Sequence, residues 1–218
     1  MLRTELDALY DDVLRSRRLL SHAFYRRWEQ GTLVLGELAA YAAQYRHFEA
    51  ALPVVLERIV AALPEGDARR LVQANLDDER GRPEPHLALF DSFATAVEAE
   101  GAAPTPATTA LVDLYLTLAD TAPVAALSAV AAYEVQAPAI AASKADGLRR
   151  RYGLGAEGTR FWDVHAGVDE AHGSWMLDAL ASLSPDPGDV AGPANAAADA
   201  WWRFLDERQA AAPVPVGC

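Results

Sequence analysis

The sequence predicts an all-α fold, a bundle of about seven helices, and three observations predict it. Alanine, leucine, glutamate and arginine dominate, and β-branched runs are scarce, which favours helix nearly everywhere. Proline and glycine gather at a few points, so the helical stretches are separated by short links. No repeat recurs at a fixed period and the composition does not shift along the chain. Residues 1–210 therefore read as a single helical domain and 211–218 as a disordered tail.

The first helix is expected over residues 2–30, opening amphipathically with Met-Leu-Arg-Thr-Glu-Leu-Asp and broken by Gly31. The second runs over 34–63 through Tyr41, Tyr45 and Leu56, with Pro53 as its kink. Pro64-Glu-Gly-Asp67 is a turn and a helix cap. The third runs over 68–98, interrupted by Gly81, Pro83 and Pro85. After the loop Gly101-Ala-Ala-Pro-Thr-Pro106, helices are expected over 107–119, 123–151, 157–182 and 193–210. Pro193 opens the last of these, a favoured first helical position.

The 218 residues suffice for a sizeable core, and the 51% apolar content excludes disorder. The formal charge of −12 argues against nucleic acid, whose phosphates need a basic surface. No apolar run is expected to reach the length of a membrane span, and no signal peptide opens the chain. The only cysteine, Cys218, stands at the last position, so no internal disulfide forms. That fits a reducing cytoplasm and removes any core thiol as nucleophile or ligand.

The candidate chemistry lies in carboxylates and imidazoles. In Phe-Trp-Asp-Val-His-Ala-Gly-Val-Asp-Glu-Ala-His, His165, Asp169 and His172 stand at offsets of zero, four and seven, one stripe on a helix face. Glu134 sits in Ala-Val-Ala-Ala-Tyr-Glu-Val-Gln-Ala-Pro, a helix apolar nearly all round. A buried carboxylate there is costly unless paired, hydrogen-bonded or metal-bound. Glu79 and His86 are seven apart, about two turns, although Gly81, Pro83 and Pro85 fall between them. Glu79 alone, beside Asp77 and Asp78, reads as a solvated acidic face. Three carboxylates and three neutral imidazoles nearly neutralise two divalent first-row ions, and mixed ligation of this kind suits iron or manganese.

His22-Ala-Phe-Tyr-Arg-Arg-Trp-Glu-Gln-Gly-Thr-Leu-Val and Leu38-Ala-Ala-Tyr-Ala-Ala-Gln-Tyr look like the opening of the haem-oxygenase-like, TenA-like helical superfamily. Ala132-Tyr-Glu-Val-Gln-Ala-Pro-Ala-Ile-Ala-Ala-Ser-Lys-Ala-Asp-Gly-Leu148, with the six residues above, resembles its dimetal oxidases. The nearest likeness is to the family of the chlamydial protein associating with death domains and its bacterial relatives, over about residues 14–180. The resemblance implies metal ligands at Glu79, His86, Glu134, His165, Asp169 and His172. It implies a consumed tyrosine at Tyr25, a second tyrosine near the metals at Tyr133, and an amino donor at Lys144. The activity implied is synthesis of para-aminobenzoate for folate from the protein's own tyrosine side chain. The cofactors implied are two irons, or one manganese and one iron, with dioxygen as co-substrate. An external reductant and a homodimer are expected. Death-domain binding is not carried over, because nothing in the chain speaks for it.

Each residue also has a plainer reading. Tyr25 can be a packed core residue beside Phe24 and Trp28, and Lys144 a solvated cation near a helix end. Rival functions divide in the same way. A TenA-type hydrolase needs a buried cysteine, which the chain lacks. A haem oxygenase would use His22 as axial ligand but wants glycines where the helix around Glu134 has none. A cofactorless oxidase would not need six metal ligands. A dimetal oxidase acting on a free amino acid or fatty acid would share all six, so Tyr25 and Lys144 discriminate. A metal-storage or interaction protein would bind metal without consuming dioxygen.

Overall fold

Ten α-helices and one 3-10 turn, with no strand, make up the described part of the computed structural model: the backbone of 1–81 and 84–211, with all side chains except 168–170. Residues 212–218, most of the expected tail, lie outside it, as does the Asp169 side chain. Three of the seven expected helices are each divided in two.

The first division gives α1 (Arg3–Leu14) and α2 (Ala23–Gln30), joined through a 3-10 turn at Leu19–Ser21. His22 starts α2 by accepting a hydrogen bond from the Phe24 amide on its Nδ1 at 3.1 Å. α3 (Leu35–Ala62) keeps Pro53 within its length. The second division gives α4 (Asp67–Glu79) and α5 (His86–Ala96). Gly81 turns the chain there with φ 85°, and a Cβ on it would lie 2.0 Å from the Pro85 nitrogen. Only glycine fits that corner. α6 (Pro106–Thr121) follows.

The third division gives α7 (Pro123–Glu134) and α8 (Ala137–Tyr152). Pro138, in the first turn of α8, has no N–H to return to the Glu134 carbonyl, so the helix stops and restarts. α9 (Ala156–Leu183) is continuous. α10 (Pro187–Ala210) begins six residues before the expected start at Pro193. Pro187 takes the first-turn position, and Pro193 lies inside the helix. The core packing of Val190, Ala194, Ala197 and Trp201 holds that turn despite the lost donor.

α9 packs against α4, α5, α7 and α8, and α3 packs against α4, α5, α6 and α7. The buried side chains form one cluster with a strongly aromatic middle, including Trp28, Tyr41, Phe48, Phe90, Trp162 and Trp201. Contrary to the sequence expectation, the stretch Pro123–Tyr152 is long and apolar enough to cross a membrane. Two thirds of its most apolar 18-residue window is buried inside the protein, and α7 and α8 divide the stretch. Its apolar character is that of core helices. α7 is buried on every side from Ala126 to its last residue, and so carries Glu134 into the interior.

Candidate metal centre

Breaks in the helices assemble this centre as much as the helices do. Glu79 is the last residue of α4, His86 the first of α5 and Glu134 the last of α7. His165 and His172 come from one face of α9. Two carboxylates thus sit at helix C-termini, where the negative end of the dipole also favours a cation. Glu79 and His86 do not share a helical face. The Gly81 corner folds them together, with His86 Nδ1 3.1 Å from Glu79 Oε2. His172 Nδ1 lies 3.9 Å from Glu79 Oε1 and 4.0 Å from Glu134 Oε2. The His86 and His165 rings are 4.4 Å apart between centroids. Asp169 belongs to α9 by its backbone, and its side chain lies outside the described residues.

Two overlapping donor groups result. Ligand atoms of Glu79, Glu134 and His172 lie within 4.8 Å of one another, as do those of Glu49, Glu79, His86 and His165. Glu79 belongs to both. Two of the donors fit a cation because a polar atom of each has no hydrogen-bond partner among the described residues. Glu79 Oε2 and His86 Nδ1 are buried, near each other, and not aligned as a hydrogen bond. Buried polar atoms rarely lack partners unless an ion or water supplies them.

The ring tautomers are set from outside the cluster. His165 Nδ1 donates to the Phe161 carbonyl at 2.8 Å, which leaves Nε2 as the lone pair. His172 Nε2 lies 3.2 Å from Asp78 Oδ2, and donation there leaves Nδ1 facing Glu79 and Glu134. A carboxylate or carbonyl behind a ligating histidine commonly fixes its tautomer in this way. Electrostatics agree. Burial pushes the Glu134 carboxyl up to about 7, with Glu79 adding to the rise and His172 and Asn75 opposing it. Burial also raises Glu79, but His86, His165 and His172 outweigh it and hold that carboxyl below its ordinary value. Burial and the neighbouring His86 lower His165 to about 3, so it is a neutral donor. Burial lowers His86, and the adjacent Glu79 more than reverses this.

Next to this centre stands a second arrangement, built on α2, α3 and α8. Lys144 is 2% exposed, so it is not a solvated cation. Its Nζ donates to Tyr41 Oη at 2.5 Å and lies 4.5 Å from the Tyr25 ring centroid and 4.0 Å from that of Trp162. No carboxylate bonds it among the described residues. Burial pushes its ammonium well below the ordinary lysine value, opposed only in part by the charge of Glu49. Tyr25 Oη is 2.9 Å from Tyr41 Oη, and burial raises the phenol pKa of Tyr25. Tyr133 Oη meets Tyr45 Oη at 2.5 Å, and its ring stacks on Trp201 at 4.4 Å. The four-residue spacing of Tyr41, Tyr45 and Glu49 on α3 makes one stripe from the lysine cage to the metal donors, spanning about 12 Å.

The structure thus brings Glu79, His86, Glu134, His165 and His172 to one place, and Tyr25 and Lys144 to another beside it. Tyr133 stands between them. Sequence reading missed Tyr41, Tyr45, Asp78 and Glu49. His22, the axial ligand a haem oxygenase would need, has both ring nitrogens engaged, Nδ1 by the Phe24 amide and Nε2 by Asp206 at 3.0 Å.

A family profile described as iron-containing redox enzyme, of haem-oxygenase type, matches residues 39–206. The 4-aminobenzoate synthase of Nitrosomonas europaea is 34% identical over 215 residues, covering 90% of this chain and 87% of the relative. The 4-aminobenzoate synthase of Chlamydia pneumoniae is 32% identical over 206 residues, covering 90% and 92%. Among solved structures, a TenA homologue from Pseudomonas syringae superposes with a TM-score of 0.81 at 15% identity, covering 94% of this chain and 92% of the other. A CADD-like protein of unknown function from Nostoc punctiforme superposes with a TM-score of 0.74 at 19% identity, covering 94% and 99%. At these identities the structural likenesses show the fold alone.

Proposed function

We propose a reaction for this chain from the premise that it belongs to the 4-aminobenzoate synthase family, within the iron-containing redox enzymes of haem-oxygenase type: it makes 4-aminobenzoate from its own Tyr25, with Lys144 as nitrogen source. The Tyr25 Cα–Cβ bond breaks and Cβ is oxidised to the carboxyl with dioxygen as oxidant, so that ring and Cβ become the aromatic acid. The lysine nitrogen, freed by breaking its Cε–Nζ bond, replaces the phenol oxygen, which leaves as water. Two first-row ions, two irons or one manganese and one iron, supply dioxygen reduction and oxidising equivalents when bound, with electrons from an external reductant. Glu79, His86, Glu134, His165, Asp169 and His172 would hold them, Glu79 being shared between the two donor groups.

The caged lysine carries this reading. A nitrogen that attacks an oxidised ring must be a neutral amine, and an exposed lysine is almost wholly protonated at neutral pH. Burial among Tyr25, Trp28, Tyr41, Tyr45 and Trp162 favours the neutral form of Lys144. Among the described residues its hydrogen bond is to a phenol and not to a carboxylate that would hold the charge. Tyr41 touches both reacting side chains, accepting from the amine and sharing a proton with the Tyr25 hydroxyl. It is placed to pass a proton between them. Tyr25 and Lys144 are both 2% exposed, so water is kept from the ring during the exchange.

The test is an aerobic incubation of reduced, iron-loaded protein with no added substrate, assayed for 4-aminobenzoate. Protein made with nitrogen-15 lysine should yield labelled product, and Tyr25→Phe should yield none. Unlabelled product removes Lys144 from the reaction. Undiminished product from Tyr25→Phe moves the substrate role to Tyr41 or Tyr133. No product from wild type, with dioxygen consumed only when a free amino acid or fatty acid is added, favours an oxidase of external substrates.

A further inference from the structure

Glu49 joins one donor group by position yet is not among the six expected ligands. It lies in the middle of α3, 3% exposed, inside the core. Its Oε1 is buried and has no hydrogen-bond partner. Among the described residues no lysine or arginine comes within ion-pair distance of it. Lys144 is near enough to feel its charge, yet the hydrogen bond of that lysine goes to Tyr41. A carboxylate left in this state is costly, and two remedies exist: a proton or a cation.

The geometry points to the cation. We propose that Glu49 is a further metal ligand, completing the half of the centre formed by Glu79, His86 and His165. One carboxylate oxygen of Glu49 lies within 4.8 Å of donor atoms from all three of those residues. That spread suits atoms gathered around a shared ion. The His165 donor is a lone pair at Nε2, because Nδ1 is committed to the Phe161 carbonyl. Charge supports the same assignment. Glu79, Glu134 and Asp169 supply three negative charges against the four positive charges of two divalent ions. Glu49 supplies the fourth, and a water-poor site favours neutrality.

The inference rests on the dimetal reading, so the experiment separates the two. Apoprotein is titrated anaerobically with cobalt(II), followed by its visible absorption and by metal analysis. Wild type is expected to bind two ions per chain. Glu49→Gln keeps the side-chain volume and removes the charge. It should bind one ion as wild type does and the other at least about tenfold more weakly, with altered absorption. Glu49→Asp, which keeps the charge, should recover part of the loss. Two ions bound by Glu49→Gln with unchanged affinity and spectrum would overturn the assignment and leave the centre intact. No cobalt bound by wild type would overturn the centre itself. A metal-loaded crystal of wild type needs no variant. A Glu49 oxygen within about 2.0–2.3 Å of an ion supports the assignment, and one beyond about 3.5 Å refutes it.

Discussion

Asp78 shows how much a half-exposed residue can matter when it stands behind a buried one. It is not one of the expected ligands, but its Oδ2 accepts a hydrogen bond from His172 Nε2 at 3.2 Å. Without it the imidazole can take its other tautomer and present N–H toward Glu79 and Glu134. Asp78→Ala is therefore expected to leave the fold intact, since the side chain is 42% exposed, and to weaken metal binding about 10- to 100-fold. An anaerobic ferrous titration checks this, and equal affinity would show that α9 alone orients the ring. Lys144 gives the opposite case. Its amine is buried among rings with one hydrogen bond. Lys144→Met fills similar volume without a polar head. The apoprotein should melt no lower than wild type, or slightly higher, while 4-aminobenzoate is lost. A drop of more than about 3 kcal/mol in denaturant unfolding would mean that the amine holds the cage together instead.

Helix packing around the centre leaves little slack where Gly173 of α9 meets the end of α7. A Cβ there would lie 3.1 Å from the Glu134 carbonyl oxygen and 3.3 Å from the Val135 Cα, both backbone atoms. Alanine gains about 1 kcal/mol of helix propensity over glycine, but overpacking against backbone costs about 1–3 kcal/mol. The cost should win. Gly173→Ala is expected to destabilise the protein and to spread α9 from α7, which weakens metal binding because His172 and Glu134 flank the contact. Unchanged denaturant midpoint and metal affinity would show that α7 can retreat. This geometry also explains what was legible in sequence. The all-helical character was, because Ala and Leu propensities act locally. The α9 stripe was, because His165 and His172 share one helix. The break between α7 and α8 is hidden inside the expected helix over 123–151, since a proline in sequence can equally kink a helix or end it. The turn before His22 was hidden because Ser16, Arg17 and Arg18 suit a helix equally well. Glu79 and His86 meet through a corner that no periodicity encodes, so their two-turn spacing pointed to the pair through a geometry the chain does not adopt, and the family resemblance carried it. Glu49 and Tyr41 join the site through contacts across helices. Arg46 and His47 beside Glu49 gave it the look of a solvated face, and Asp78 was lost among Asp77 and Glu79.

Carrying the site in the core makes its protonation part of the folding equilibrium of the whole chain. Glu134 titrates near 7 in the folded protein and near 4.5 when free. Between those values the folded apoprotein holds a proton that the unfolded chain has released. This contribution to stability is full below about pH 4.5 and is lost as pH rises through about 7. His86, raised by Glu79, has the same sign. Lys144, lowered by burial, has the opposite sign at higher pH but is common to metal-free and metal-loaded protein, as are the surface carboxylates. The rise in melting temperature on metal binding therefore isolates the site. A bound ion replaces the protons of Glu134 and His86, so affinity rises about tenfold per unit rise in pH for each proton displaced. Two protons give about a hundredfold, or about 2.7 kcal/mol when metal is in excess. For a chain of this size that is about 5–10 °C per pH unit. The metal-induced increment should grow by at least this amount between about pH 5.5 and 6.5, and Glu49, which burial and the charges of Glu79 and Glu134 hold well above its ordinary value, should prolong the growth to higher pH. Thermal melts of apo and anaerobically loaded protein across that range measure it. An increment that is flat or shrinks as pH rises would show that metal displaces no site protons, and that the buried carboxylates and imidazoles are structural.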